Sequence, residues 1–335
     1  MKIAILGAGS WATALGKVWA EKGHEVRLLA RRSTVVQAIN SRRVNPDYLP
    51  GITLPASLKA SLDPEEVLKG AEAVVWAVPA QALREVAQGL QGSISPEKPL
   101  ISAIKGMEIT TLKTPTEILR EFFPENPCGV LSGPSFAWEV AQGLPTAVVL
   151  AFEEEFLARG LQEKLSSPVF RLYRSRDVRG VELCGAIKNV IAIAAGISDG
   201  LELGLNARAA LITRGLAETM RLGLSLGAEP LTFSGLAGLG DLVLTCTGKL
   251  SRNYRVGYRV GQGESLPEVL HSLKQVAEGV YTVKALYRFV QGSKLELPIS
   301  QGVYQVLYQG EPPQEVLKRL LSRPLKAEFE PPPRP

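Results

Sequence analysis

In the first half of the chain, short apolar runs alternate with stretches whose apolar residues recur at helical spacing. The first run, residues 2–6, is rich in β-branched residues, and a glycine turn joins it to an Ala- and Leu-rich segment at 13–22. This alternation of short buried runs with helical segments predicts an α/β fold with a mostly parallel sheet. Further strands are predicted at residues 25–30, 73–78, 99–104, 128–132, 146–152 and 169–173.

After about residue 175 the strand pattern stops, and helical spacing continues to the end of the chain. Residues 181–197 are apolar on nearly every side, which predicts a deeply buried helix. Residues 205–226, and the chain from 267 to about 327, have the spacing of amphipathic helices. The second half is therefore predicted to be all-helical.

The length of 335 residues favours two domains, each large enough for its own core. The change of pattern predicts an α/β domain at 1–178 and an all-helical domain at 179–328. The proline-rich segment 329–335 is expected to be a disordered tail.

Composition argues against several classes of protein. A hydrophobic content of 45% with 21% charged residues is ordinary for a globular protein, and no apolar run approaches the roughly 18 residues of a membrane span. The chain enters a strand after one lysine, so no secretory signal is expected. The net charge is +5, but the sequence has no block of basic residues interleaved with aromatic ones, so a nucleic-acid partner is disfavoured.

The few histidines and cysteines also limit the chemistry. Cys128, Cys184 and Cys246 are widely spaced, which predicts reduced thiols in a cytoplasm and no metal site of the C-x-x-C kind. With His24 and His271 as the two histidines, a His-based metal site or a Ser-His-Asp triad is disfavoured. An acid–base catalyst is therefore expected to be a Lys, Asp or Glu.

The turn after the first predicted strand has the pattern of a dinucleotide-binding loop. Gly7, Gly9 and Ala12 occupy the small-residue positions of G-x-G-x-x-G/A, between a strand and a helix. Gly7 permits the tight turn, Gly9 lets the backbone approach a pyrophosphate, and Ala12 keeps the helix close to the sheet. The helix then directs its unpaired N–H groups at the phosphates. The alternative is a glycine turn that merely connects the two elements.

The end of the second predicted strand favours NADPH over NADH. A cofactor with a free ribose 2′-hydroxyl usually meets an Asp or Glu about 20 residues after the first glycine. Here Ala30 is followed by Arg31 and Arg32, whose guanidinium groups suit a 2′-phosphate. The alternative is that both arginines are solvated loop charges.

Candidate substrate contacts follow the later predicted strands. Lys105, Gly133 and Ser135 come directly after apolar runs, where parallel sheets bind ligands, although each alone could be a turn residue. In the helical half, Ser251, Arg252 and Asn253 offer a fork of donors suited to a phosphate.

Lys188 lies with Asn189 inside the apolar helix predicted at 181–197. A lysine there is costly unless it snorkels, pairs or faces a wet cavity, and snorkelling is the common case. A desolvated lysine near a second cation, such as Lys105, instead has its pKa brought from about 10.4 towards the 7–8 useful for proton transfer. Asp241, which follows a glycine-rich run, is a candidate partner for Lys188.

Taken together, these stretches resemble the NAD(P)-dependent glycerol-3-phosphate dehydrogenase family in its bacterial form. The resemblance runs from residue 2 to about 325, and several motifs in the right order make it highly specific. The matching segments are residues 7–11, 105–106, 131–137, 185–190, 206–208, 213–215, 238–242, 251–253 and 278–279. Ala12 departs from the glycine common at that position, which leaves cofactor binding intact but could shift the helix slightly.

The resemblance implies a Rossmann-type dinucleotide-binding domain, then an all-α domain like the C-terminal domain of 6-phosphogluconate dehydrogenase. It also implies a homodimer and a reversible reduction of dihydroxyacetone phosphate to sn-glycerol 3-phosphate, which supplies phospholipid synthesis. NADPH, or else NADH, is the implied cofactor, no metal is needed, and a cytoplasmic location is expected.

The resemblance further assigns roles to individual residues. Lys188 falls on the proton acceptor of the oxidative direction, with Lys105, Asp241 and Asn189 as its catalytic partners. The cofactor positions are Gly7, Gly9, Ser10, Trp11, Arg31, Arg32, Tyr48, Lys105, Ala137, Arg252, Val276 and Glu278. The substrate positions are Lys105, Gly133, Ser135, Lys188, Asp241, Ser251, Arg252 and Asn253.

Two other interpretations remain at this point. A 2-ketopantoate reductase or a 6-phosphogluconate dehydrogenase shares the architecture and a helix lysine, but lacks the combined segments around Lys188, Asp241 and Arg252. A non-catalytic NADP-sensing module is the alternative outside enzymes, and the two lysines and Asp241 in one expected cleft argue against it.

Overall fold

The computed structural model describes residues 1–273, 276–325 and 327–328, so the tail predicted at 329–335 lies outside the described residues. In the described part, the first half of the chain forms one eight-stranded sheet. The strands are β1 (Lys2–Leu6), β2 (Glu25–Leu29), β3 (Leu58–Ser61), β4 (Ala73–Trp76), β5 (Leu100–Ser102), β6 (Cys128–Ser132), β7 (Thr146–Ala151) and β8 (Phe170–Ser175).

The strand order is β3-β2-β1-β4-β5-β6-β7-β8, and the first six strands are all parallel. This order is that of a Rossmann-type sheet, in which the chain reverses its direction of travel between β1 and β4. The predicted parallel sheet is therefore confirmed over these strands. A ligand is expected at the reversal, beyond the carboxyl ends of β1 and β4.

Two features of the sheet differ from the prediction. β7 pairs with β6 in the antiparallel direction and with β8 in the parallel direction, so the last two strands run opposite to the first six. β3 lies outside the predicted strands because its sequence, Leu-Lys-Ala-Ser, is short and half polar. Its alternating burial is that of an edge strand with one covered face.

Helices cover both faces of the sheet and make up the second half of the chain. The first group is α1 (Ser10–Glu21), α2 (Ser33–Arg42), α3 (Pro64–Leu68), α4 (Leu83–Gly89), α5 (Pro115–Phe122), α6 (Ala137–Ala141) and α7 (Glu155–Leu165). The second group is α8 (Val178–Gly200), α9 (Gly204–Ser225), α10 (Pro230–Ser234), α11 (Asp241–Thr247), α12 (Arg252–Gly261), α13 (Leu266–His271), α14 (Glu278–Gln291), α15 (Pro298–Tyr308) and α16 (Pro313–Leu321). The all-helical second half is confirmed for the described residues.

Apolar side chains form separate cores on the two faces of the sheet. One contains Ile3, Leu15 and Trp19, and the other contains Leu6, Trp76 and Leu119. Because β1 is buried on both faces, its sequence is a nearly continuous apolar run, as parallel strands require.

The centre of the helical half is α8, which is buried from Gly180 to Ser198. By length and composition this helix could cross a bilayer, which was not recognised from the sequence. Its apolar stretch is, however, entirely buried inside the protein. It crosses α12 at very short range, through Gly196 on α8 and Gly257 on α12. A Cβ at Gly257 would overlap the carbonyl oxygen of Ile193. This close crossing holds α12, and with it Arg252, against the helix that carries Lys188.

Candidate functional site

The glycine loop after β1 leaves the N-terminus of α1 open. Gly7 has φ +126°, and a Cβ there would lie 2.6 Å from the carbonyl oxygen of Ala77, so only glycine fits. Gly9 is the N-cap residue of α1, no side chain caps the helix, and a Cβ at Gly9 would meet no described atom within 4 Å. α1 therefore starts at Ser10, three residues before the predicted start. A helix N-terminus without a side-chain cap, beside an unobstructed glycine, fits the pyrophosphate of a dinucleotide.

A segment after α2 packs against this loop. The Ser10 hydroxyl donates a hydrogen bond of 2.5 Å to the carbonyl oxygen of Tyr48. The Asn45 amide donates at 2.9 Å to the carbonyl oxygen of Ala8. The Arg32 guanidinium lies 5.3 Å from the centre of the Tyr48 ring, a cation–π contact. Ser10, Arg32 and Tyr48, which the sequence analysis assigned to the cofactor, are thus neighbours.

The second part of the site is a cluster of two lysines around one carboxylate. Lys188, on α8, donates to Oδ1 of Asp241, and Lys105, after β5, donates to Oδ2 at 2.7 Å. Asp241 is 1% exposed and Lys188 is 5% exposed, so the charges meet away from bulk water. The pairing of Lys188 with Asp241 and the nearness of Lys105, both expected from the sequence, are present, and Lys188 does not snorkel.

Burial decides the protonation of Lys188. Desolvation lowers its pKa from 10.5 to about 7; the Asp241 carboxylate opposes this shift and the charge of Lys105 adds to it. A lysine with a pKa near neutrality exchanges protons readily at physiological pH. Such a group can act as acid or base on a bound molecule.

Two buried amides connect the lysine cluster to its surroundings. The Asn189 side chain donates to the carbonyl oxygen of Lys105 at 3.0 Å and accepts from the Asn253 amide at 2.9 Å. Asn253 in turn accepts from the backbone N–H of Gly279 at 2.9 Å. This relay joins α8 to the loop after β5 and to the first turns of α12 and α14. Asn189 and Asn253 therefore fix how these elements meet at the site.

The exposed Arg252 and the half-buried Glu278 lie beside this relay. Partial desolvation lowers the pKa of Arg252, and the charge of Glu278 counteracts this shift. Burial raises the pKa of Glu278 to about 7, opposed by a hydrogen bond from the backbone N–H of Ala80 and by the charge of Arg252. Among the described residues the second oxygen of Glu278, Oε2, has no hydrogen-bond partner. Because an orphaned buried oxygen is costly, it fits a site that a polar ligand completes.

The remaining predicted residues lie near the lysine cluster, the glycine loop and the start of α12. The carbonyl oxygen of Gly133 accepts from Lys105 at 2.9 Å and from the Ser135 hydroxyl, also at 2.9 Å. The Ser251 hydroxyl caps α12 by accepting from the N–H of Tyr254. Val276 is 38% exposed, next to the undescribed residues 274–275. Three other cofactor positions lie nearby in the chain: Trp11 is in the first turn of α1, Arg31 follows the end of β2, and Ala137 begins α6.

One residue of the cluster was missed by the sequence analysis. The Thr245 hydroxyl accepts from Lys188 at 2.9 Å and donates to the carbonyl oxygen of Asp241 at 2.6 Å. It follows Asp241 by one helical turn, so the i, i+4 spacing on α11 was the available signal. Thr245 fixes the direction in which the Lys188 ammonium points.

Known proteins match this chain over nearly its full length. The family model for the NAD-dependent glycerol-3-phosphate dehydrogenase N-terminus matches residues 2–158, and the model for the C-terminus matches 177–318. A glycerol-3-phosphate dehydrogenase (NAD(P)+) of Geobacter sp. strain M21 is 50% identical over 98% of both chains. One from Nitratidesulfovibrio vulgaris strain Hildenborough is 48% identical, over 98% of this chain and 100% of its own. The crystal structure of glycerol-3-phosphate dehydrogenase from Coxiella burnetii superposes with a TM-score of 0.93 at 42% identity, covering 96% of this chain and 99% of that one.

Proposed function

The chain belongs to the NAD-dependent glycerol-3-phosphate dehydrogenase family, and from this membership we propose that it reversibly reduces dihydroxyacetone phosphate to sn-glycerol 3-phosphate. The observation that carries the proposal is the Lys188–Asp241–Lys105 cluster, which joins the loop after β5 to α8 and α11 of the helical half. The product is a building block of glycerophospholipids, so the reaction supplies phospholipid synthesis. A sensing module without catalysis would not need Lys188 and Lys105 to share the buried Asp241 carboxylate.

We propose that the residues around the glycine loop hold NADPH in preference to NADH. The uncapped N-terminus of α1 would receive the pyrophosphate, and Arg31 and Arg32 would attract a 2′-phosphate. The cofactor, when bound, supplies the hydride that reduces the substrate carbonyl carbon. The residues proposed to hold it are Gly7, Gly9, Ser10, Trp11, Arg31, Arg32, Tyr48, Lys105, Ala137, Arg252, Val276 and Glu278.

Lys188 is the proposed general acid for ketone reduction. Its ammonium donates a proton to the carbonyl oxygen as negative charge grows there, and the charge of Lys105 supports that oxygen. In the reverse direction the neutral amine takes the proton from the alcohol. Asp241 and Thr245 hold the Lys188 nitrogen in place, and Asn189 ties its helix to the backbone of Lys105.

Arg252 is the proposed holder of the substrate phosphate, with Asn253 and Ser251 beside it at the start of α12. An arginine presents its donors in a rigid fork that matches phosphate oxygens. The side of the substrate away from Arg252 would be contacted by Lys105, Gly133 and Ser135. Holding the distal phosphate fixes the carbonyl relative to Lys188, which makes the reaction effectively intramolecular.

Three further properties are proposals of the same kind. We place the domain boundary at residue 178, because β8 ends at Ser175 and α8 begins at Val178. A homodimer is supported by exposed apolar residues in the helical half, such as Leu205 at 71% and Leu231 at 82% exposure. A cytoplasmic location is supported by three unpaired, buried cysteines. For the proposed homodimer, light scattering should give a mass about twice the chain mass of 36.1 kDa.

The direct test follows the loss of NADPH absorbance with dihydroxyacetone phosphate as substrate. The purified protein is expected to oxidise NADPH with this ketone and to oxidise it far more slowly with 2-ketopantoate. Turnover of 2-ketopantoate in place of the phosphorylated ketone would assign the chain to that reductase activity. Cofactor binding without turnover of either would support a sensing module.

Replacing Arg252 with alanine is expected to raise the KM for dihydroxyacetone phosphate by about 10²-fold, because a charge-assisted phosphate grip is lost. Steady-state kinetics should show a much smaller change in kcat/KM for dihydroxyacetone, which has no phosphate. Arg255→Ala, one turn further along α12, is the matched control and should leave both values within about threefold. Equal losses on the two ketones would contradict the phosphate role.

A further inference from the structure

The structure supplies an acidic residue where the sequence near the end of β2 has none. Nη2 of Arg32 lies 2.9 Å from Oδ2 of Asp47, and the two side chains are 50% and 51% exposed. Dinucleotide sites that favour NADH usually carry an Asp or Glu at the end of the second strand. Here the carboxylate comes from a different segment and pairs with Arg32, one of the two arginines that suit a 2′-phosphate.

The segment that carries Asp47 is anchored to the glycine loop. On one side of Asp47, Asn45 donates to the carbonyl oxygen of Ala8 at 2.9 Å and to the Thr13 hydroxyl at 2.8 Å. On the other side, the carbonyl oxygen of Tyr48 accepts from Ser10. Asn45 is 1% exposed. Asp47 is therefore held at a set position relative to the cofactor loop.

The two neighbouring arginines are in different situations. Arg32 is restrained by the carboxylate of Asp47 and by the ring of Tyr48, 5.3 Å from its guanidinium carbon. Arg31 is exposed, and within the described ranges its side chain makes no hydrogen bond or ion pair. Arg31 can turn to a phosphate without breaking a polar contact, whereas Arg32 already shares one terminal nitrogen with the Asp47 carboxylate.

We propose that Asp47 is a specificity-determining residue that sets the ratio of NADPH affinity to NADH affinity. The inference rests on the proposed function and deepens it. Asp47 neutralises Arg32 and competes with the 2′-phosphate for it, so the carboxylate weakens NADPH binding. A cofactor with a 2′-hydroxyl leaves the pair of Asp47 and Arg32 intact. The pair therefore lets one site accept both cofactors.

The test measures dissociation constants by isothermal titration calorimetry, for NADPH and NADH separately, without substrate. Asp47→Asn keeps the shape of the side chain and removes its charge. It is expected to tighten NADPH binding about three- to fivefold and to change NADH binding by less than about twofold, since an exposed charge interaction is worth up to about 1 kcal/mol. The gain should shrink in high salt, which screens exposed charges.

Two further variants locate the effect. In an Arg32→Ala background, adding Asp47→Asn should no longer improve NADPH binding. Glu163→Gln removes another exposed carboxylate that pairs with an arginine, Arg159 on α7 at 3.1 Å, and should leave both affinities unchanged. 2′,5′-ADP and 5′-AMP, as fragments with and without the 2′-phosphate, should reproduce the contrast.

The possible results separate the inference from the function. A ratio within about twofold of wild type after Asp47→Asn would overturn the inference, as would a gain that persists in the Arg32→Ala background. Neither result touches the proposed dehydrogenase. Failure of the wild-type protein to bind either dinucleotide would instead overturn the function, and with it the inference.

Discussion

Lys188→Ala is expected to lower kcat for dihydroxyacetone phosphate reduction by at least about 10²-fold, since general acid catalysis contributes that much. The dissociation constant of NADPH should stay within about threefold, because Lys188 lies in the lysine cluster and not at the glycine loop. Stopped-flow kinetics and calorimetry give the two values. Lys284→Ala is the matched control, since its ammonium lies over the Tyr308 ring, away from the cluster.

The pH dependence of the wild type gives this prediction a second readout. Lys188 must carry its proton to reduce the ketone, so kcat/KM for reduction should fall as the pH rises through about 7. Oxidation of glycerol 3-phosphate needs the neutral amine, so its kcat/KM should rise over the same range. The residual activity of Lys188→Ala should lack this inflection. An unchanged inflection in the variant would give the acid–base role to another group.

Below pH 7, where Lys188 is protonated, Asp241→Asn should reduce the free energy of unfolding by about 3–5 kcal/mol. The Asp241 carboxylate is 1% exposed and accepts from both Lys105 and Lys188, so the amide leaves two cations in the cleft without their counter-charge. Urea unfolding measures the loss, which should shrink as the pH rises through about 7, because a deprotonated Lys188 needs no counter-charge. Activity should fall as well, since Lys188 loses the group that holds it.

Glu121→Gln is a matched control for this effect. Glu121 also accepts from two cations, Arg84 and Lys113, but its side chain is 31% exposed. Water replaces much of the lost interaction there, so the expected cost is only about 1 kcal/mol. Equal losses in the two variants would mean that burial does not strengthen the Asp241 cluster, contrary to the physical argument.

The sequence alone was sufficient for the parts of this protein that depend on local periodicity. The apolar runs at residues 2–6 and 73–78 predict β1 and β4, because a strand buried on both faces must be apolar at successive positions. The glycine loop is equally local, since Gly7 meets a steric demand of the turn itself. The apolar surroundings of Lys188 likewise follow from the composition of its own helix.

Only the tertiary structure decided which distant residues meet. The antiparallel direction of β7 and the formation of the weakly apolar strand β3 depend on pairing with neighbouring strands. The sequence of a short segment does not show which strand it will pair with. Thr245 joins the Lys188 cluster from 57 residues away, and Asp47 reaches Arg32 from a separate segment. Periodicity reports whether a residue faces a core or solvent. The partner of a charge is set by packing between elements far apart in the chain, and local patterns do not contain that information.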